Sequence, residues 1–152
     1  MNKSRRRIVQ AGAGLGVFGW ARVVTAAEGG HDVALALAIK QYVGDAPVRV
    51  GKVKLDVAEL VENGNAVPLS VAVESPMTAT EHVKRIAIFN ERNPQRDVAR
   101  FTLGPRSGRA LVATRIRLAT SQKLVAIAQL SDGSYWSHTA DVIVTLAACV
   151  ES

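Results

Sequence analysis

From Val50 onward, apolar and polar residues alternate along most of the chain. The segment Val50 to Val57 reads Val-Gly-Lys-Val-Lys-Leu-Asp-Val. Val67 to Glu74 places Val67, Leu69, Val71 and Val73 on one side. Val83 to Phe89 and Val98 to Leu103 follow. Ala110 to Leu118 and Lys123 to Leu130 alternate strongly, and Thr139 to Leu146 comes last. A period of two marks strands with one face packed, because successive side chains point to opposite sides of the backbone. Turn residues separate the segments. Ala58 to Gly64 reads as a polar connection ending in Asn63-Gly64, and Asn90 to Arg96 as a loop containing Pro94. Gly104 to Gly108 is a turn, and Asp132-Gly133 a hairpin signal. One segment departs from the period: Asp32 to Val43 is Ala/Leu-rich, with Asp32 as N-cap and Gly44 as stop, and predicts a short helix. Short, evenly spaced strands predict an all-β chain, an immunoglobulin-like antiparallel β-sandwich with a short N-terminal helix. The Cys-Trp-Cys core of antibody domains is absent, so only the architecture is implied.

The two ends break this pattern. The chain starts Met1-Asn2-Lys3-Ser4-Arg5-Arg6-Arg7, then runs through weakly apolar Ile8 to Ala21 to the small residues Thr25, Ala26 and Ala27. A charged start, an apolar middle and a small-residue cleavage zone describe an export signal. The arginines after Ser4 point to the bacterial twin-arginine (Tat) route and so to the periplasm. The apolar stretch is too short and Gly-rich for a membrane span, which needs about 20 apolar residues. Gly12-Ala13-Gly14-Leu15-Gly16 has no preceding strand and the wrong spacing for a nucleotide-binding loop. The expected organisation is a Tat-type signal over 1–27, a sandwich with its helix over 28–146, and a C-terminal arm over 147–152.

This division changes the charge balance. Lys3, Arg5, Arg6, Arg7 and Arg22 supply five of the formal net +6, leaving about +1 on the remainder. The basic isoelectric point therefore belongs to the targeting segment, and no nucleic-acid partner is expected.

The other end holds Cys149, the chain's single cysteine, in Ala147-Ala148-Cys149-Val150-Glu151-Ser152. One cysteine makes no internal bridge, so in an oxidising compartment it implies intermolecular chemistry or a reactive group. Three extended residues from Leu146 reach roughly 10 Å. On that reading the thiol stands beyond the sandwich edge. Glu151 places negative charge near it, which opposes the thiolate. Three classes fit these residues: a covalent carrier, an exported interaction module whose cysteine only forms an intermolecular disulfide, and a thiol-dependent enzyme.

Other chemistry is weakly signalled. His31, His82 and His138 lack ligand spacing, so no metal site is expected. The serines lack a nucleophile-elbow context. Arg115 and Arg117 flank Ile116 and should face away from the core. Tyr135 and Trp136 are candidate edge aromatics.

Several segments carry a resemblance. Val67-Pro68-Leu69-Ser70-Val71-Ala72-Val73-Glu74-Ser75-Pro76-Met77-Thr78 is one, and Asn93-Pro94 another. Phe101-Thr102-Leu103-Gly104-Pro105-Arg106-Ser107-Gly108, Thr114-Arg115-Ile116-Arg117-Leu118-Ala119 with Gln122, and Ser131-Asp132-Gly133-Ser134-Tyr135-Trp136 complete the set. Together, from about Val50 to Cys149, they resemble the SoxY family, sulfur carrier subunits of the bacterial thiosulfate-oxidising (Sox) system. The resemblance implies a periplasmic subunit paired with a second β-sandwich subunit, SoxZ, as a heterodimer. It implies no catalysis by the subunit itself and no cofactor. Cys149 would be the site of covalent substrate attachment, served by haem-containing, hydrolase and sulfur dehydrogenase components of the system. The family's usual tail is Gly-Gly-Cys-Gly-Gly. Ala147, Ala148 and Val150 make this one stiffer and thicker.

Overall fold

The structure is a computed structural model and describes residues 27–148. It contains a helix α1 (Ala27–Val43) and strands β1 (Val48–Val50), β2 (Val53–Val57), β3 (Leu60–Asn63), β4 (Val67–Val73) and β5 (Val83–Asn90). β6 (Asp97–Thr102), β7 (Leu111–Ile116), β8 (Gln122–Leu130) and β9 (Tyr135–Leu146) follow. A single 3-10 turn, Pro105–Ser107, occupies the expected Gly104 to Gly108 turn.

The strands form two packed sheets. The larger runs β1-β9-β8-β5-β6, with β3 also paired to β9, and the smaller runs β2-β4-β7. In β4 the alternation works as read: Val67, Leu69, Val71 and Val73 are buried, with more open residues between them. They meet Ile86 and Ile88 of β5 and Leu124 and Ala126 of β8 in the inter-sheet core. β5 and β8 are instead buried on both faces and read as near-continuous apolar runs, because a second layer covers their far side.

That second layer is α1. Leu35, Ala38, Ile39 and Tyr42 recur at helical spacing and pack on Ala87, Phe89, Val125 and Ile127. The Tyr42 ring meets Phe89 edge-on at 5.6 Å and Tyr135 at 6.0 Å. Burial, reinforced by Tyr135, pushes the Tyr42 hydroxyl up to about 12.

Three expectations need correction. Val50 to Val57 is not one strand: β1 ends at Val50 in the larger sheet, β2 starts at Val53 in the smaller, and Gly51 and Lys52 between them have positive φ. α1 begins at Ala27, so Asp32 sits inside the helix and does not cap it. The polar connection Ala58 to Gly64 contains β3, a short strand that pairs in parallel with the end of β9. Its pattern is hard to read because it is four residues long and only Val61 is buried. β1 is also parallel to β9, and these two short pairs are the exceptions in an otherwise antiparallel sandwich. Among the described residues, no helix is long and apolar enough to cross a membrane.

Candidate functional site

β9 carries the chain toward the cysteine, and its ladder partner changes from β8 to β3 along the way. Val142 is opposite Gln122 of β8, while Ile143, Val144 and Leu146 are opposite Leu60, Val61 and Asn63 of β3. The Val144 amide also donates to Ser121 Oγ at 2.9 Å.

Beyond Leu146 the backbone closes a small ring of hydrogen bonds. The Gly64 amide donates to the Leu146 carbonyl at 2.8 Å, and the Leu118 amide donates to the Gly64 carbonyl at 2.8 Å. The Ala148 amide donates to the Leu118 carbonyl at 3.0 Å, which returns the ring to the chain it started from. Leu118 is fully buried and Ala148 is buried, whereas Ala147 is exposed. Gly64 has to be glycine here. An added Cβ would collide with the Leu118 carbonyl oxygen, stand 2.9 Å from the Ala148 nitrogen and 3.1 Å from Val144 Cγ1. The chain thus stays fixed to the sandwich through Ala148, two residues further than the departure from Leu146 that the sequence suggests. Cys149, the rest of the tail and residues 1–26, nearly all of the expected signal, lie outside the described residues.

Polar side chains surround this ring. Asn90, Glu91 and Gln122 are buried, and with Asn93 they tie the β5–β6 loop to the β7–β8 loop that contains Leu118. Glu91 Oε2 accepts from the Lys123 amide at 3.1 Å. Burial works against its charge, yet that hydrogen bond, a side-chain hydrogen bond with Asp32 and the positive charge of Arg92 and Lys123 outweigh it, and the carboxyl lies below its ordinary range.

The histidines are spent on separate contacts. His138 Nδ1 accepts from the Leu55 amide at 3.1 Å, His82 Nδ1 meets the Thr78 carbonyl at 3.1 Å, and His31 Nδ1 lies 3.0 Å from an Arg96 nitrogen. Among the described residues, no group of histidine, cysteine and acidic side chains is placed to hold a metal ion. Arg115 and Arg117 are exposed. Arg115 borders a shallow, open depression on the outer face of the smaller sheet, with Asp56 and Ser70 across it. Tyr135 packs under α1, and the Trp136 ring is covered by Arg49 at 5.6 Å and Lys52 at 5.1 Å. Gly64, Leu118 and Asn93 carry no chemical signature in the sequence. Asn63-Gly64 reads as a turn, and only its position under Ala148 shows the close approach.

Comparison with known proteins agrees with this architecture. The family described as sulfur oxidation protein SoxY matches residues 39–149. The solved structure of the sulfur carrier protein SoxY from Chlorobium limicola f. thiosulfatophilum is 29% identical, with a TM-score of 0.64 over 76% of this chain and 99% of that one. A superoxide reductase (neelaredoxin) from Ignicoccus hospitalis matches at 20% identity and TM-score 0.56, over 61% of this chain and 79% of its own. A putative superoxide reductase from Thermotoga maritima matches at 19% and 0.54, over 65% and 93%. These two share the fold alone. No curated protein matches the chain. With most of its length covered by the family match, from Ile39 near the end of α1 to Cys149, the chain belongs to the SoxY family.

Proposed function

We propose that this protein is a periplasmic sulfur carrier of the thiosulfate-oxidising system, exported by the Tat route, with Cys149 as the point of covalent attachment. The observation that supports it most is that the family match runs through the sandwich and ends on the chain's single cysteine. The backbone clamp at Ala148 adds a physical reason. A group presented to several visiting enzymes benefits from a fixed point of departure, because each ordered residue removes conformational freedom that docking would otherwise have to remove.

The chemistry on this reading is simple to balance. Thiosulfate joins the Cys149 sulfur as a thiosulfonate. The thiol proton is released and an electron pair passes to a haem-containing partner. Water then attacks the terminal sulfone with the help of a hydrolase, sulfate leaves, and a persulfide remains on Cys149. A sulfur dehydrogenase component oxidises that persulfide further. The subunit supplies the sulfur atom and its placement, and partners supply the turnover. A SoxZ-like subunit completes a heterodimer.

Intact-mass analysis of the native protein from cells grown on thiosulfate tests this reading. Sulfur-containing adducts are expected on Cys149 and are lost in Cys149→Ser. An unmodified thiol throughout growth would overturn it. A disulfide-linked dimer as the main form would favour an interaction module, and thiosulfate turnover by the isolated subunit would favour a thiol enzyme.

A further inference from the structure

Residues 117–121 lie between β7 and β8, where no ladder holds them. Leu118, the second of them, spends both of its backbone groups on the ring, one on Gly64 and one on Ala148. Its two neighbours are gripped by one side chain. Asn93 Nδ2 donates to the Arg117 carbonyl at 2.7 Å, and Asn93 Oδ1 accepts from the Ala119 amide at 3.0 Å. The same Oδ1 accepts from Gln122 Nε2 at 2.7 Å.

The gripping side chain is itself held. The Asn93 amide donates to Asn90 Oδ1 at 3.0 Å, and Asn90 is fully buried with its Nδ2 donating to the Gln95 carbonyl at 2.9 Å. Gln122 Nε2 also reaches the Thr120 carbonyl at 3.1 Å, while its Oε1 accepts from the Arg92 amide at 2.8 Å. Bracketing Leu118 in this way takes a donor and an acceptor on one short side chain, which asparagine has and aspartate lacks.

The geometry points to Asn93 as a positioning residue for the sulfur-carrying cysteine, acting through the Leu118 loop on Ala148. Asn93 reaches the tail through Arg117 and Ala119, the covalent neighbours of Leu118, whose carbonyl accepts from the Ala148 amide. This role rests on the carrier reading, but the brace can be measured without it.

The test is amide hydrogen exchange by NMR on the full chain, with the Ala148 amide normalised to Ile127 in the buried centre of β8. In Asn93→Ala, Ala148 is expected to exchange about tenfold faster relative to Ile127, as loss of one or two hydrogen bonds implies. Asn93→Asp keeps the acceptor for Ala119 and Gln122 but loses the donor to Arg117, so it should fall between wild type and alanine. It also decides the question if the alanine variant does not fold. Loading of Cys149 with thiosulfate by the oxidising partner should show a raised KM for the carrier at an unchanged maximal rate. Unchanged normalised exchange, with wild-type Cys149 still loaded, overturns the brace and leaves the carrier reading standing. Wild-type protein that takes no sulfur overturns the carrier reading, and the positioning role falls with it.

Discussion

The two ends of the sandwich are held by different kinds of contact. At the end where the tail leaves, side chains reach far along the chain: Asn93 to Arg117 and Ala119, Gln122 to Arg92 and Asn93, Ser121 to Val144. At the opposite end the turn contacts are mostly short in range. Asp132 Oδ1 accepts from the Ser134 amide at 2.9 Å and from its hydroxyl at 2.7 Å, and Thr78 bonds within its own loop to Glu81. Ser131, which reaches the Thr80 carbonyl and the His82 amide, is the main exception. Local bonds shape a turn, whereas bonds between distant segments fix two loops against each other. The end where the chain leaves at Ala148 has more of the second kind.

The largest test of this contrast compares Leu118→Ala with Leu130→Ala. Both side chains are buried, one at each end. Each truncation is expected to cost about 3 kcal/mol in denaturant unfolding, from lost burial and a residual cavity. Only Leu118→Ala should speed Ala148 amide exchange beyond what the global loss explains. Equal effects at Ala148 would erase the distinction between the ends.

A smaller effect is expected at the far turn. Asp132→Ala removes two local bonds at an exposed site and should cost at most about 0.5 kcal/mol, read from the unfolding midpoint. Cys149 loading should not change, and slower loading would show that the far turn also serves the tail.

The smallest effect concerns acid. Glu91 has a folded carboxyl value below its ordinary one, so its contribution to stability is complete above the ordinary carboxylate range and is lost as pH falls through the lowered value. The melting temperature should therefore drop less between about pH 6 and about pH 3 in Glu91→Gln than in wild type. An identical drop would remove Glu91 from the set of contacts that stabilise the tail end.

Much of this molecule could be read from its residues, and the misses have physical causes. Val67 to Val73 announces its face because one side is core and the other is open. β3 hides because Glu62 and Asn63 are exposed at the sheet's edge and its partner lies more than eighty residues later in the chain. Cys149 stands out by being single. Asn93 is legible as part of the family resemblance, but its bracing role is not, since its partners Arg117, Ala119 and Gln122 sit more than twenty residues away and two of them offer only backbone atoms. Gly64 is read as a turn residue because a close approach by Leu118 and Ala148 leaves no trace in its own neighbourhood.

The succession of β8 and then β3 as ladder partners along β9 has a mechanical consequence. Ladder bonds lie across a strand's axis. A pull on the tail directed along β9 therefore loads the β3 ladder and, behind it, the β8 ladder in shear, instead of peeling the bonds one at a time. A force applied beyond Ala148 can thus be borne while the sandwich keeps its shape.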